Sequence, residues 1–326
     1  MIARAMIDPT EVRFFSGSSH RQLAADIAAY LGVPLEDTLI RRFRNDNLYI
    51  QLGASVRSRQ VYIVQSLSPP VQDHLMELLM MLDIARSAAA KEVHAIIPYF
   101  SYARSDKKDA PRISITARLI ADLLQTAGAT HVMTMTLHSP QVHGFFSIPA
   151  DPLTARISFE RYFQDRDLSN TVVVAPDAGR AGSAGRFARS LGLPVGAGNK
   201  VRLSDTEVHI SGFVGRQVSG YRRALIYDDE IATGSSVREL TRLLVETGVE
   251  EISAICTHGV FVDGALEKLG AIPQIKEIVT TDTVCLPEEN RHPKLVVLSV
   301  APIFGEAIRR NYFRQSIGKM FAFGED

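Results

Sequence analysis

Asp228 and Asp229, followed by Glu230-Ile231-Ala232-Thr233-Gly234-Ser235-Ser236, set two carboxylates beside a loop of small and hydroxyl-bearing residues. Such a loop turns backbone N–H groups inward on an anion. A helix starting after it, here near Val237, adds unpaired donors and the positive end of its dipole. The chemistry these residues suit is the binding of a phosphate ester. The two acids could accept the hydroxyls of a sugar whose phosphate fills the loop, or stand near a magnesium ion, and together they suggest a ribose phosphate. The plainer alternative, a strand-end turn whose acids cap the next helix, accounts for one acid and not for both.

In open parallel sheets, ligands gather beyond the carboxyl ends of the strands, so the residues just after each apolar run matter most. Besides the loop above, three such places are chemically rich: Tyr102-Ala103-Arg104-Ser105-Asp106-Lys107-Lys108, Leu137-His138-Ser139 and Ala175-Pro176-Asp177-Ala178-Gly179. His138 offers an imidazole to a metal or a phosphate, and Asp177 offers a carboxylate. A magnesium ion held together with phosphates takes only one or two protein ligands, although either residue alone also reads as a polar strand terminus. Arg104, Lys107 and Lys108 put cations where a triphosphate needs neutralising, or simply make a solvated loop. The Gly-flanked polar stretch Gly198 to Ser204 suits a lid, and an extended backbone there directs Lys200 and Arg202 to one side.

The elements that must position these groups are legible as alternation. Apolar runs short enough for buried strands recur at Val12-Phe15, Leu48-Leu52, Val61-Val64, Val93-Ile97, His131-Leu137, Thr171-Ala175, Ala224-Tyr227, Ile252-Cys256, Ile278-Val279 and Leu295-Val300. Between them, His20 to Leu31 aligns Leu23, Ile27 and Tyr30, and Ile115 to Ala127 aligns Ile115, Leu119 and Leu123, at helical spacing. Strand and helix in alternation predict an α/β fold with parallel sheets covered on both sides. The Met-rich segment Asp73 to Ala90 is apolar nearly all round, which predicts a helix buried on several faces in a core or a subunit interface. Pro149, Pro152 and the polar stretch Gln164 to Asn170 mark the domain junction near the middle of the chain.

At 326 residues, 46% hydrophobic and 22% charged, the chain has material for two domains with buried sheets. Lys plus Arg equals Asp plus Glu at 36 each, which removes the bulk electrostatic reason to expect nucleic acid or an anionic membrane as partner. No run approaches the roughly 18 apolar residues of a membrane helix. Cys256 and Cys285 are too few for a disulfide scaffold, so a soluble protein of the reducing cytoplasm is expected.

With these residues in view, the chain resembles the phosphoribosyl pyrophosphate synthetases (ribose-phosphate diphosphokinases) over nearly its whole length, from Phe15-Ser16-Gly17-Ser18 to Ser316-Ile317-Gly318-Lys319-Met320-Phe321. Between those ends Ser55-Val56-Arg57, Ile63-Val64-Gln65-Ser66, Leu75-Met76-Glu77-Leu78-Leu79, Ile97-Pro98-Tyr99-Phe100, Tyr102-Ala103-Arg104, Gly144-Phe145-Phe146, Thr257-His258-Gly259-Val260 and Glu306-Ala307-Ile308-Arg309-Arg310 occur in family order. The resemblance implies two phosphoribosyltransferase-like (Rossmann-like) domains, each with a mainly parallel sheet flanked by helices. An ATP-side domain would span residues 1–152, with 306–326 packing back on it, and a ribose 5-phosphate domain residues 153–305. The implied reaction is Mg2+-dependent transfer of the β,γ-diphosphoryl group of ATP to the C1 hydroxyl of ribose 5-phosphate, giving phosphoribosyl pyrophosphate and AMP.

Carried over by position, His138 and Asp177 would be Mg2+ ligands, with Lys200 and Arg202 the catalytic lid residues on the transferring phosphates. Asp228, Asp229, Ala232, Thr233, Gly234, Ser235 and Ser236 would bind ribose 5-phosphate. Arg104, Ser105 and His138 would contact ATP, and Phe43, Asn45 and Asn47 would form an adenine-side loop reaching in from a neighbouring subunit. That implies a homo-oligomer, a dimer at least and a hexamer by resemblance, with Ser55, Arg57 and Ser316 in a regulatory anion site. The chain departs from the family pattern at Asn45 and Asn47 (usually acidic), Ser105 (Gln), Thr136 (Asp), Arg180 (Gly), Ser183 (Arg) and Ala232 (Asp), and in the regulatory site at Pro140, His143 and Gly318. The substitutions at Asn45, Asn47, Thr136, Arg180 and Ala232 leave open a catalytically weak regulatory subunit of a synthetase complex, and the Asp228 to Ser236 loop leaves open, further off, a phosphoribosyltransferase acting on a base.

Overall fold

Strand β1 (Val12–Ser16) is buried along almost its whole length, as a strand covered on both faces must be, and the same holds for most strands that follow. The computed structural model describes residues 6–202, 208–215, 218–288 and 291–321. Its chain folds into two compact units. One comprises the residues up to Ala155, Thr283–Cys285 and those from Ser299 on; the other comprises Arg156–Asp282 and Leu286–Leu298. The backbone therefore passes between the units four times, at 155/156, 282/283, 285/286 and 298/299.

The first unit runs β1, α1 (Arg21–Leu31), β2 (Thr38–Arg42), β3 (Leu48–Leu52), β4 (Gln60–Val64), α2 (Val71–Ser87), β5 (Glu92–Ile97), α3 (Thr116–Ala127), β6 (His131–Met135) and β7 (Ala150–Leu153). Its five-stranded sheet has the order β1-β4-β5-β6-β7, every pair parallel, while β2 and β3 form a separate antiparallel hairpin. Alternate residues of one strand are both buried because helices lie on either side: Phe14, Phe15, Tyr62 and Ile63 are all fully covered. Helix α3 shows which stripe does the covering. Ala117, Ile120, Ala121 and Leu124 are buried, whereas Leu119 is 50% exposed and Leu123 36%, so the expected Ile115-Leu119-Leu123 face is not the core face. Helix α2 likewise buries His74, Glu77, Leu78, Met81, Leu82 and Ala85 but leaves Met76 half in solvent, a narrower burial than its composition predicts.

The second unit continues with α4 (Arg156–Phe163), β8 (Thr171–Ala175), α5 (Ala181–Ser190), β9 (Val195–Arg202), β10 (Val208–Gly215), β11 (Arg223–Ile231), α6 (Ser235–Glu246), β12 (Glu251–Gly259), α7 (Ala265–Gly270), β13 (Ile275–Thr281) and β14 (Leu295–Leu298). Its seven strands run in the order β10-β9-β8-β11-β12-β13-β14, parallel except for the antiparallel β9–β10 edge. The last helix, α8 (Ala301–Tyr312), belongs to the first unit and lies on α1, where Tyr30 donates to Glu306 and its ring takes the space that a Cβ on Gly305 would need. Both cysteines are free, Cys256 buried and Cys285 exposed. Among the described residues no helix is long and apolar enough to cross a membrane.

Candidate active site

Strand β11 carries the acid pair, and it is longer than the sequence suggests. It continues through Asp228, Asp229 and Glu230 to Ile231, pairing Asp228 with Cys256 and Glu230 with His258 on β12. The acids are thus strand residues rather than the start of the loop, which shrinks to Ala232-Thr233-Gly234, and helix α6 opens at Ser235, two residues before the expected Val237. Below the pair, the buried Tyr227 ring stacks on Phe187 at 4.6 Å and meets Phe159 edge-on at 6.0 Å. Contacts of this kind add about 1 kcal/mol each and fix the strand where the acids emerge.

Gly234 adopts the left-handed conformation (φ 73°); among the described residues no side chain caps α6, and no acid stands in its first turn. The N–H groups and positive dipole end of a twelve-residue helix are therefore directed at the loop, flanked by the hydroxyls of Thr233 and Ser235, which lie 3.2 Å apart. A Cβ at position 234 would sit 3.1 Å from Leu269, so glycine is needed for both space and dihedral angle.

The acid pair has a resident counter-charge that sequence reasoning noted only as a departure. Arg180 Nη2 lies 3.0 Å from Asp229 Oδ2, and its Nε 3.8 Å from Asp228 Oδ1. All three side chains are nearly enclosed, with exposures of 14% for Arg180, 5% for Asp229 and 12% for Asp228. Burial first, and then the adjacent Asp229 carboxylate, push the Asp228 carboxyl well above the usual carboxylate range, with Arg180 opposing the shift. Asp177 joins this group from the loop after β8: its Oδ1 accepts the backbone N–H of Arg180 at 3.1 Å. A Cβ on Gly179 would press on the same oxygen at 3.1 Å. An arginine three residues past a strand-end acid was the available signal, but one sequence does not show which acids it faces.

In the first unit, Arg104 and Ser105 end a 3-10 turn after β5, at the carboxyl edge of the sheet. Ser105 has a local task there, since its Oγ accepts the N–H of Thr116 at the start of α3. His138 is half-buried after β6, and the strand ends at Met135 rather than Leu137 because Thr136 turns the chain with φ 43°, an uncommon conformation for a β-branched residue. Phe43, Asn45 and Asn47 lie apart from that sheet, at the tip of the β2–β3 hairpin, where Phe43 is 54% exposed and touches Tyr49. Ser55, Arg57 and Ser316 are exposed, and among the described residues no hydrogen bond joins the first two to the third.

Lys200 and Arg202 occupy positions on β9 opposite Ile210 and Val208 of β10. Their side chains, and residues 203–207 including Leu203 and Ser204 of the expected lid, lie outside the described residues. Among the described residues no three His, Cys, Asp or Glu side chains form a metal-holding group. An ion bound through His138 or Asp177 would have to complete its shell with water and phosphate oxygens, as magnesium does with nucleotides.

The chain is similar to known proteins over most of its length. Residues 12–128 match the model of the N-terminal domain of ribose phosphate pyrophosphokinase, and residues 204–322 match that of the phosphoribosyl synthetase-associated domain. The ribose-phosphate pyrophosphokinase of Deinococcus radiodurans is 45% identical over 312 residues, covering 94% of this chain and 97% of the relative. A Streptomyces coelicolor protein provisionally given the same name is 50% identical over 311 residues, covering 95% and 98%. The crystal structure of phosphoribosylpyrophosphate synthetase from Mycobacterium smegmatis superposes with a TM-score of 0.86 at 34% identity, covering 93% of this chain and 99% of that one.

Proposed function

The chain belongs to the ribose-phosphate pyrophosphokinase family, and from that premise we propose that it transfers the β,γ-diphosphoryl group of ATP to the C1 hydroxyl of ribose 5-phosphate, releasing AMP. The carrying observation is the end of β11: an enclosed acid pair followed by a helix N-terminus lined with hydroxyls, an arrangement that suits a sugar and its phosphate. In this scheme the 5-phosphate lies on residues 232–236, and Asp228 and Asp229 accept the ring hydroxyls. The C1 oxygen attacks the β-phosphorus, the bridge between α- and β-phosphorus breaks, and the hydroxyl proton leaves to water.

Such a transfer asks a protein for positioning and charge neutralisation rather than a covalent nucleophile. Lys200 and Arg202 would neutralise the transferring group. Arg104, Ser105 and His138 would meet the nucleotide, with Phe43, Asn45 and Asn47 supplied by a neighbouring copy in a homo-oligomer. Mg2+, with His138 and Asp177 as its protein ligands, would polarise the polyphosphate. Ser55, Arg57 and Ser316 remain candidates for a regulatory anion site, and the two free thiols suit the cytoplasm.

The deciding experiment incubates the purified chain with magnesium, ATP and ribose 5-phosphate and follows AMP by chromatography. Formation of AMP that Lys200→Ala slows by about 100-fold or more is expected. No AMP at any substrate concentration would instead favour a regulatory subunit.

A further inference from the structure

Two carboxylates on consecutive residues, both nearly sealed from water, repel one another, and the charge they carry calls for a cation at hand. In many sugar-phosphate sites a divalent ion meets that need. Here Arg180 does so from within the chain: its side chain reaches Asp229 at 3.0 Å and Asp228 at 3.8 Å, and its backbone N–H holds Asp177 at 3.1 Å. One residue thus touches all three carboxylates that would serve the pentose and the metal. The planar guanidinium suits this place because it stays charged at any working pH and is weakly hydrated, so it tolerates enclosure better than an ammonium.

Resting on the pentose site just proposed, we propose that Arg180 is its built-in cation: the guanidinium takes the place of a divalent ion at Asp228 and Asp229, so that ribose 5-phosphate binds there without metal. A second cation at the same oxygens would be repelled at a few ångströms in a poorly solvated setting. Metal dependence is then confined to the nucleotide, and Arg180 is a positioning residue rather than a catalytic one.

The test has two arms. In the first, Mn2+ is titrated into the full chain without sugar or nucleotide and counted by the paramagnetic resonance of the free ion. Arg180→Gly and the bulkier neutral Arg180→Gln, each checked for folding by circular dichroism, should bind one more Mn2+ than the wild type. The added site should vanish in the double variant with Asp229→Asn and be absent in Arg180→Lys. In the second, calorimetry with ribose 5-phosphate alone should give the same wild-type affinity in EDTA and in Mg2+. The neutral variants should lose roughly tenfold or more in EDTA and regain it with Mg2+.

No additional Mn2+ in either neutral variant, or a wild-type sugar affinity that rises tenfold with Mg2+, would overturn the proposal. A wild type that ignores ribose 5-phosphate in both buffers would overturn the pentose site itself. The Mn2+ count would still decide what Arg180 does.

Discussion

Nδ1 of His94 lies 3.0 Å from Nδ1 of His131, and Nε2 of His131 lies 2.8 Å from Asp151 Oδ2. The two rings sit opposite one another on neighbouring strands β5 and β6, both buried, and Tyr62 stacks on His94 at 4.3 Å. Facing nitrogens need one proton between them, so a His131 that donates to Asp151 must accept from His94. Burial holds His94 below its ordinary pKa, and Glu92, 3.4 Å from its Nε2, pulls a proton on less strongly than burial drives it off. The folded ring is therefore neutral.

That arrangement sets the sign of a pH dependence. With the folded pKa of His94 depressed, its contribution is complete above the unfolded value near 6.5 and is lost as pH falls from there towards the folded value. Urea denaturation at pH 7.5 and pH 5.5 should show the loss, at no more than about 1.4 kcal/mol per pH unit for this one group. His94→Gln keeps an N–H for His131 but does not titrate, and its slope should be shallower; an unchanged slope would show that the ring is not responsible.

Glu77, itself buried, accepts from the enclosed Gln65 amide at 2.7 Å and from the exposed Ser18, whose N–H lies at 3.0 Å and hydroxyl at 2.7 Å. Gln65 is wholly enclosed and approaches Gly17 so closely that a Cβ there would stand 2.3 Å from its oxygen. Glu77→Ala leaves the enclosed Gln65 amide with the His74 carbonyl oxygen as its remaining acceptor and should cost about 1–3 kcal/mol in equilibrium unfolding. A loss below about 0.5 kcal/mol would mean that water takes over the site.

Gly234→Ala forces a side chain into a left-handed residue against Leu269, at a cost of about 1–2 kcal/mol. Because the strain falls on the phosphate loop, KM for ribose 5-phosphate should rise several-fold while kcat changes less. Equal falls in kcat and kcat/KM would instead tie the loop to the transition state alone.

Lys200→Ala should reduce kcat by about 100-fold to 1,000-fold, in the range for removing one donor from a developing charge. Calorimetric affinity for ribose 5-phosphate should hardly change, since the sugar loop lies on other elements. A large loss of sugar affinity would assign Lys200 to the ground state.

Much of this was legible in advance because buried parallel strands write themselves as short apolar runs. The run Thr171–Ala175 coincides to the residue with the buried parallel β8, whereas Leu48–Leu52 coincides with β3 of the antiparallel hairpin, which is only partly buried. What escaped has physical causes. Strand β7 contains Pro152 and is short, which an edge position tolerates but an apolar-run search passes over, so those residues read as a linker instead. Strand β9 begins Val-Gly-Ala-Gly, with too little side chain to show a period. The acids of β11 looked like a loop because charge argues against burial, and only the fold supplies the arginine that permits it. On α3, leucines at the right spacing pointed to the wrong stripe, because small alanines form the close-packed face.

The repeated passage of the backbone between its two units has a practical corollary. A protease nick in any one loop would leave both bodies still tethered, and truncation at residue 155 would strip the first of its terminal helix. Whoever wants either body in isolation must re-ligate it from separated pieces, so loss of one half should be felt by the other as broken covalent continuity.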